Sequence, residues 1–197
     1  MENTRLTPNL LTSIVLLAAV SASAAPPATR PVYATPADVV AAAQRANKED
    51  DFETFLNCQS PAGQQKMVKF VMTIMARSPA TRPANAERDA FERRHRLSDR
   101  TPRPGETPDQ VVDRLIGDLP DSRAFLLDFM TQQKAIRAKR PPSTRPAPDL
   151  MNLVVSPDGL TATGDLSRRD PDGGTMSQHI SFSKIDGSWL LNDMMFY

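Results

Sequence analysis

The sequence predicts an α+β fold in which N-terminal helices pack on a C-terminal curved antiparallel sheet, a meander of three to four strands. Three observations point there. Apolar residues recur at helical spacing through the first two thirds of the chain. From Leu150 onward that spacing gives way to alternation. The alternating stretches are divided by turn signals at Ser156-Pro-Asp-Gly159, Asp170-Pro-Asp-Gly-Gly174 and Asp186-Gly187. A length of 197 residues suits one such domain.

The elements follow in order. Residues 1–24 read as a signal peptide: Arg5 is basic, Leu10–Val20 is an apolar run too short to span a bilayer, and Ala22-Ser23-Ala24 offers small residues for cleavage after Ala24. The expected location is therefore exported, periplasmic or secreted, with no transmembrane segment after cleavage. Residues 25–34 read as a flexible Pro/Ala linker. The domain spans 35–197.

Thr35-Pro36-Ala-Asp38 opens a helix. The threonine oxygen caps free amides, proline suits the first helical position and the acid suits the positive end of the dipole. Phe52–Leu56 is a short second helix. Gln64–Arg77 is a third, with Met67, Phe70, Val71, Ile74 and Met75 on one face. Glu87–Leu97 is helical but so charged that weak packing is expected. Thr107-Pro108-Asp109 repeats the capping logic of Thr35, and a helix runs from it to about Ile116, stopped by Gly117. Asp121–Lys139 is the last helix, with Phe125, Leu126, Phe129, Met130 and Ile136 inward. The helical middle section, 78–148, is rich in proline.

The strands come next. Met151–Val155 is short and apolar. Leu160, Ala162, Gly164 and Leu166 then alternate with Thr161, Thr163 and Asp165, and Met176, Ile180 and Phe182 with Ser177, His179 and Ser181. The final strand, from Trp189, carries apolar residues on both faces. It should be central in its sheet or covered on both sides.

Composition limits the chemistry. A net charge of +1 gives no global field to recruit nucleic acid or anionic lipid. The single cysteine, Cys58, forms no internal disulfide and reads as a structural thiol. The two histidines are distant: His95 lies in Arg93-Arg-His-Arg96 and should be solvated, and His179 shares the exposed parity of its strand. No metal-ligand spacing, phosphate loop or nucleophile elbow is present, so no metal and no cofactor is expected. Asp193 is the one weak catalytic candidate. Lys134, Arg137, Lys139, Arg140 and Arg145 form a basic patch at a helix C-terminus, where cations offset the dipole.

The Thr-Pro helix start, the Phe52-Glu-Thr-Phe55 helix and the late meander closing on Asp186-Gly-Ser-Trp-Leu-Leu-Asn-Asp193 resemble the nuclear-transport-factor-2-like superfamily, in particular its small exported members of unknown function. The resemblance implies a cone-shaped sheet roofed by helices, often enclosing a pocket. Ketosteroid-isomerase-like members use a tyrosine and buried acids inside the cone. Here the only tyrosines are Tyr33, in the linker, and Tyr197, at the terminus, so those roles do not carry over.

The expected function is an exported non-catalytic domain that binds a small apolar ligand or a partner protein. Phe52, Phe55, Phe70, Ile74, Phe125, Phe129, Phe182 and Trp189 are the residues expected to line a pocket or fill a core. The alternatives are an enzyme of the cone type acting through Asp193, and an envelope interaction module using the basic patch. Nucleic acid is not an expected partner. A cavity reaching Asp193 with a raised carboxyl pKa would favour the enzyme, and a filled interior the interaction module.

Overall fold

The computed structural model of the protein describes residues 31–77, 86–97, 101–138, 146–170 and 173–193. The expected signal peptide, Lys139, Arg140, Arg145 and Tyr197 lie outside them. Six helices precede a four-stranded antiparallel sheet of order β1-β2-β3-β4, an α+β arrangement with the helices N-terminal to the sheet.

Helix α1 (Pro36–Lys48) and helix α5 (Pro108–Gly117) both start with a capping box. The Thr35 hydroxyl accepts from the Asp38 amide at 3.2 Å, and the Asp38 carboxylate accepts from the Thr35 amide at 2.9 Å. Thr107 and Gln110 make the same exchange. Each box satisfies two amides that a helix start otherwise leaves unpaired. Helix α2 (Phe52–Asn57) is capped by Asp51, whose carboxylate accepts from the Thr54 amide.

Helix α3 (Pro61–Arg77) begins three residues before the expected start at Gln64. Its inward face is also rotated from the expected one. Met67, Val68, Val71 and Met72 are buried, whereas Phe70 and Ile74 are exposed. Both sets satisfy helical spacing, and the tertiary contact decides between them. Helix α4 (Ala86–Arg94) overturns the expectation of weak packing: Phe91, His95 and Leu97 are all buried. In helix α6 (Ser122–Arg137), Phe125 and Leu126 are fully buried, and Phe129 and Met130 partly so. Ile136, expected inward, is exposed because it lies in the last turn, beyond the packed part of the helix.

Strands β1 (Asp149–Val155), β2 (Thr161–Arg169), β3 (Thr175–Ile185) and β4 (Ser188–Leu191) follow. The Asp186-Gly187 hairpin has both residues at positive φ, 51° and 80°, which matches its twist to that of the strands. Ala162, Gly164 and Leu166 of β2 are buried beside Ile180 and Phe182 of β3. Leu160 and Met176 lie at the ends of this pattern and are exposed.

All four residues of β4 are buried. It is covered, as expected of a strand apolar on both faces, yet it lies at an edge of the sheet. Its outer backbone groups are bonded by distant segments. The Trp189 amide donates to the Tyr33 carbonyl at 3.0 Å, the Leu191 amide to Cys58 at 2.9 Å, and the Ser60 amide to Leu191 at 2.8 Å. Tyr33 thus belongs to the packed domain. It is buried, its amide donates to the Ser188 hydroxyl, and its own hydroxyl lies 3.2 Å from the Cys58 sulfur.

Candidate functional site

The expected pocket residues separate into two groups. Phe52, Phe55, Phe125, Phe182 and Trp189 are buried among other side chains, and Phe129 stacks on Phe125 with ring centroids 6.4 Å apart. Phe70 and Ile74 are on the outer side of α3. A cleft of about 240 Å³ lies elsewhere, between α3 and α5. Ala76, Pro102, Pro108, Val111 and Val112 supply its apolar lining, and Glu106 and Asp109 its acids. Glu106 is held by the Arg114 guanidinium, at 2.8 and 3.0 Å, and by the Arg103 amide. The Arg114 hydrogen bond, chiefly, brings its pKa down to about 2. Such a carboxylate stays charged and is a poor proton carrier near neutrality.

Asp193 sits where β4 ends. Its carboxylate accepts from the Ser181 amide at 2.8 Å, the Ser181 hydroxyl at 2.5 Å and the Lys66 ammonium at 2.5 Å. Burial opposes its ionisation, but Lys66 and Ser181 outweigh that penalty and hold the carboxyl below its ordinary value. Beside it, Asn192 accepts from the Ser60 hydroxyl at 2.6 Å and donates to Ser183 at 2.9 Å. The cluster ties α3 to the sheet. It keeps Asp193 anionic and already engaged, the opposite of a carboxylic acid poised to donate a proton.

His95 is not solvated as the arginines around it suggested; it is 2% exposed. Its ring stacks obliquely on Phe91 at 4.7 Å and meets Phe125 edge-on at 5.4 Å. Its Nε2 lies 2.9 Å from the Asp128 carboxylate, which Arg94 also engages. Burial raises the Asp128 pKa, and hydrogen bonds from His95 and Arg94 lower it by more. A helix seen alone gives no sign of this packing, because both Phe125 and Asp128 come from α6. His179 is exposed as expected, with Nδ1 3.0 Å from Asp165 on the outer face of the sheet.

Of the basic patch, Lys134 is paired with Asp50 at 3.3 Å, Arg137 lies in the last turn of α6, and the other three cations lie outside the described residues. Among the described residues no group of three or more His, Cys, Asp or Glu side chains could hold a metal. No described helix is long and apolar enough to cross a membrane.

The opposite edge of the sheet presents a surface that no single residue announces. In β1, Met151 is 51% exposed, Leu153 41%, Val154 63% and Val155 45%. The strand is anchored at its entry, where the Gln44 amide donates to the Pro148 carbonyl at 2.7 Å. It pairs with β2 along one side only, and among the described residues nothing pairs with its other side. The ladder is interrupted between Met151 and Val154 by a bulge, with Asn152 at φ 52°. Leu150 and Val155 stand opposite Leu166 and Ala162, on the buried face of the sheet; Met151 and Val154 stand opposite Asp165 and Thr163, on the other face.

No protein-family model, no curated protein and no solved structure matches the chain.

Proposed function

We propose that this protein is an exported, non-catalytic interaction domain that binds a partner polypeptide along β1. The carrying observation is the apolar exposure of that strand on both faces of the sheet, next to an edge that no described residue pairs. Soluble proteins normally shield an edge with charge, proline or a covering segment, because its free amides and carbonyls template another strand. From Leu150 to Val155, β1 carries neither a charge nor a proline. A strand added there gains main-chain hydrogen bonds and pockets for alternate side chains.

The interior supports this reading over the alternatives. Phe52, Phe55, Phe125, Phe182 and Trp189 fill space in the core, and Asp193 does not line the cleft between α3 and α5. Its lowered pKa speaks against the enzyme reading. The order of helices then meander is what supports the resemblance to the nuclear-transport-factor-2-like cone. A small apolar ligand is a second reading, favoured by the cleft between α3 and α5. Native mass spectrometry of protein from its own cells would show it as a retained mass.

The test of the main reading is photo-crosslinking. A photoreactive residue at position 154 should give adducts with polypeptide in the native cell, and one at the exposed control position Glu49 should not. Absence of adducts at position 154 overturns the proposal.

A further inference from the structure

This inference rests on the β1 reading and names its occupant. We infer that the polypeptide paired along β1 is β1 of a second copy of this chain, antiparallel and related by a two-fold axis through the bulge.

The segment that covers this edge is a strand. Apolar side chains are exposed on both faces of the sheet, Met151 and Val154 on one and Val155 on the other. A helix laid against the sheet covers one face. A strand added at the edge sends alternate side chains to both.

The strand that fits is β1 itself. The bulge breaks the alternation in its middle, so the faces run in mirror order: Leu150 inner, Met151 outer, Val154 outer, Val155 inner. A two-fold axis perpendicular to the sheet and centred between Asn152 and Leu153 keeps inner with inner and outer with outer. It places Met151 opposite Val154 of the second copy, and Leu150 opposite Val155 of the second copy. A slip by one residue would set each apolar side chain against the wrong face. The single charge of the strand, Asp149, falls opposite Ser156 of the second copy, so like charges do not meet.

The exposed area also suits a pair. Four large side chains, each roughly half exposed within seven residues, together expose a few hundred Å² of apolar surface on the two faces of the strand. Doubled across the axis and joined by the strand backbones, the covered surface approaches the roughly 1,000 Å² at which specific interfaces begin. Such a pair is also closed. The β4 edge is already bonded by Tyr33 and the Cys58–Ser60 segment. Joining at β1 leaves no open edge, so the assembly stops at two instead of growing into a fibre.

Sedimentation velocity over a concentration series, on protein purified from its native cells, should show a monomer–dimer equilibrium. Val154→Lys should weaken the dimer about tenfold or more, because it sets a cation against Met151 of the second copy. Ser177→Lys, on an exposed position of β3, should leave it unchanged. The register has its own test. Met151→Cys combined with Val154→Cys should oxidise to a covalent dimer, and either change alone should not. A dimer indifferent to Val154→Lys, or crosslinked as well by one cysteine as by two, overturns the inference. So does a monomer at every concentration. If that monomer still gives photo-adducts at position 154 with another polypeptide, only the second-copy inference falls; if it gives none, the β1 reading falls with it.

Discussion

The two edges of the sheet are built from equally apolar strands and end in opposite states. At β4 the outer amides of Trp189 and Leu191 find carbonyls of Tyr33 and Cys58, and all four strand residues are buried. At β1 six of seven residues are exposed, and the outer side has no bonded segment among the described residues. Intrinsic strand propensity does not separate them. What does is the chain that precedes the sheet: the segment before α1 and the α2–α3 connector both return to β4. An edge is therefore protected by long-range connectivity, and one left without it is available for recognition.

The sharpest way to test the contrast is to remove the same kind of side chain from each edge. Leu191→Ala deletes a fully buried side chain and should cost about 2–5 kcal/mol in urea unfolding, the range for truncation in a packed core. Val154→Ala removes a side chain that is mostly in water in the isolated chain. It should change the monomer's stability by no more than about 0.5 kcal/mol. Equal losses at the two positions would mean that β1 is as enclosed as β4.

Glycines give a second test. A Cβ on Gly63, at the start of α3, would meet the Leu191 carbonyl oxygen at 2.6 Å and the Gln59 side-chain oxygen at 3.0 Å. Backbone cannot step aside as a side chain can, so Gly63→Ala should destabilise by about 1–3 kcal/mol, the cost of overpacking, read as a drop in Tm. On the β1 side, a Cβ on Gly164 would meet Leu150 Cδ1 at 2.9 Å and the Met151 carbonyl at 3.2 Å. The nearest atom there ends a flexible side chain, so Gly164→Ala should cost less than Gly63→Ala. The reverse order would show β1 to be the more tightly held edge.

A smaller loss is expected at the point where the chain ahead of α1 grips β4. Ser188→Ala removes the hydroxyl that accepts from the buried Tyr33 amide at 2.9 Å. One such bond contributes about 1 kcal/mol. Hydrogen exchange at the Trp189 amide, which donates to the Tyr33 carbonyl, should speed up in this variant, and exchange in β1 should not change.

The local grammar of the fold was legible. Thr35-Pro36 and Thr107-Pro108 mark helix starts because a cap is a short-range interaction, and the Asp158-Gly159 and Asp186-Gly187 turns are equally local. The alternation in β2 and β3 placed Ala162, Leu166, Ile180 and Phe182 inside because strand parity needs only a run of residues. What was not legible depends on partners far along the chain. Phe70 and Ile74 fit the helical period as well as Val68 and Met72 do, and only the packing of α3 chooses. His95 looks solvated among arginines until α6 brings up Phe125 and Asp128. Likewise Met151 to Val155 reads only as a short apolar strand, and its place at an edge follows from the order of the sheet.

The smallest effect expected lies on the acid side and compares a carboxylate beside each edge strand, Asp193 after β4 and Asp165 opposite β1. Asp193 and Asp165 both have pKa values lowered from 3.8. For Asp165 the Asn152 side chain is the main cause, followed by His179. For Asp193 burial works against ionisation and is outweighed by Lys66 and Ser181. A group whose pKa is lower folded than unfolded releases its proton more readily in the native state. Its contribution is complete above 3.8 and is lost as pH falls through the folded value. Both carboxylates should therefore steepen acid unfolding below pH 3.8 and leave stability near neutrality flat. Asp193 is held by a cation as well as by a backbone amide and ties β4 to α3. Asp193→Asn should thus flatten the acid slope of Tm, measured from about pH 6 down to about pH 3, more than Asp165→Asn does. Equal flattening would mean that the clamp on β4 adds no more to acid resistance than the exposed contacts beside β1.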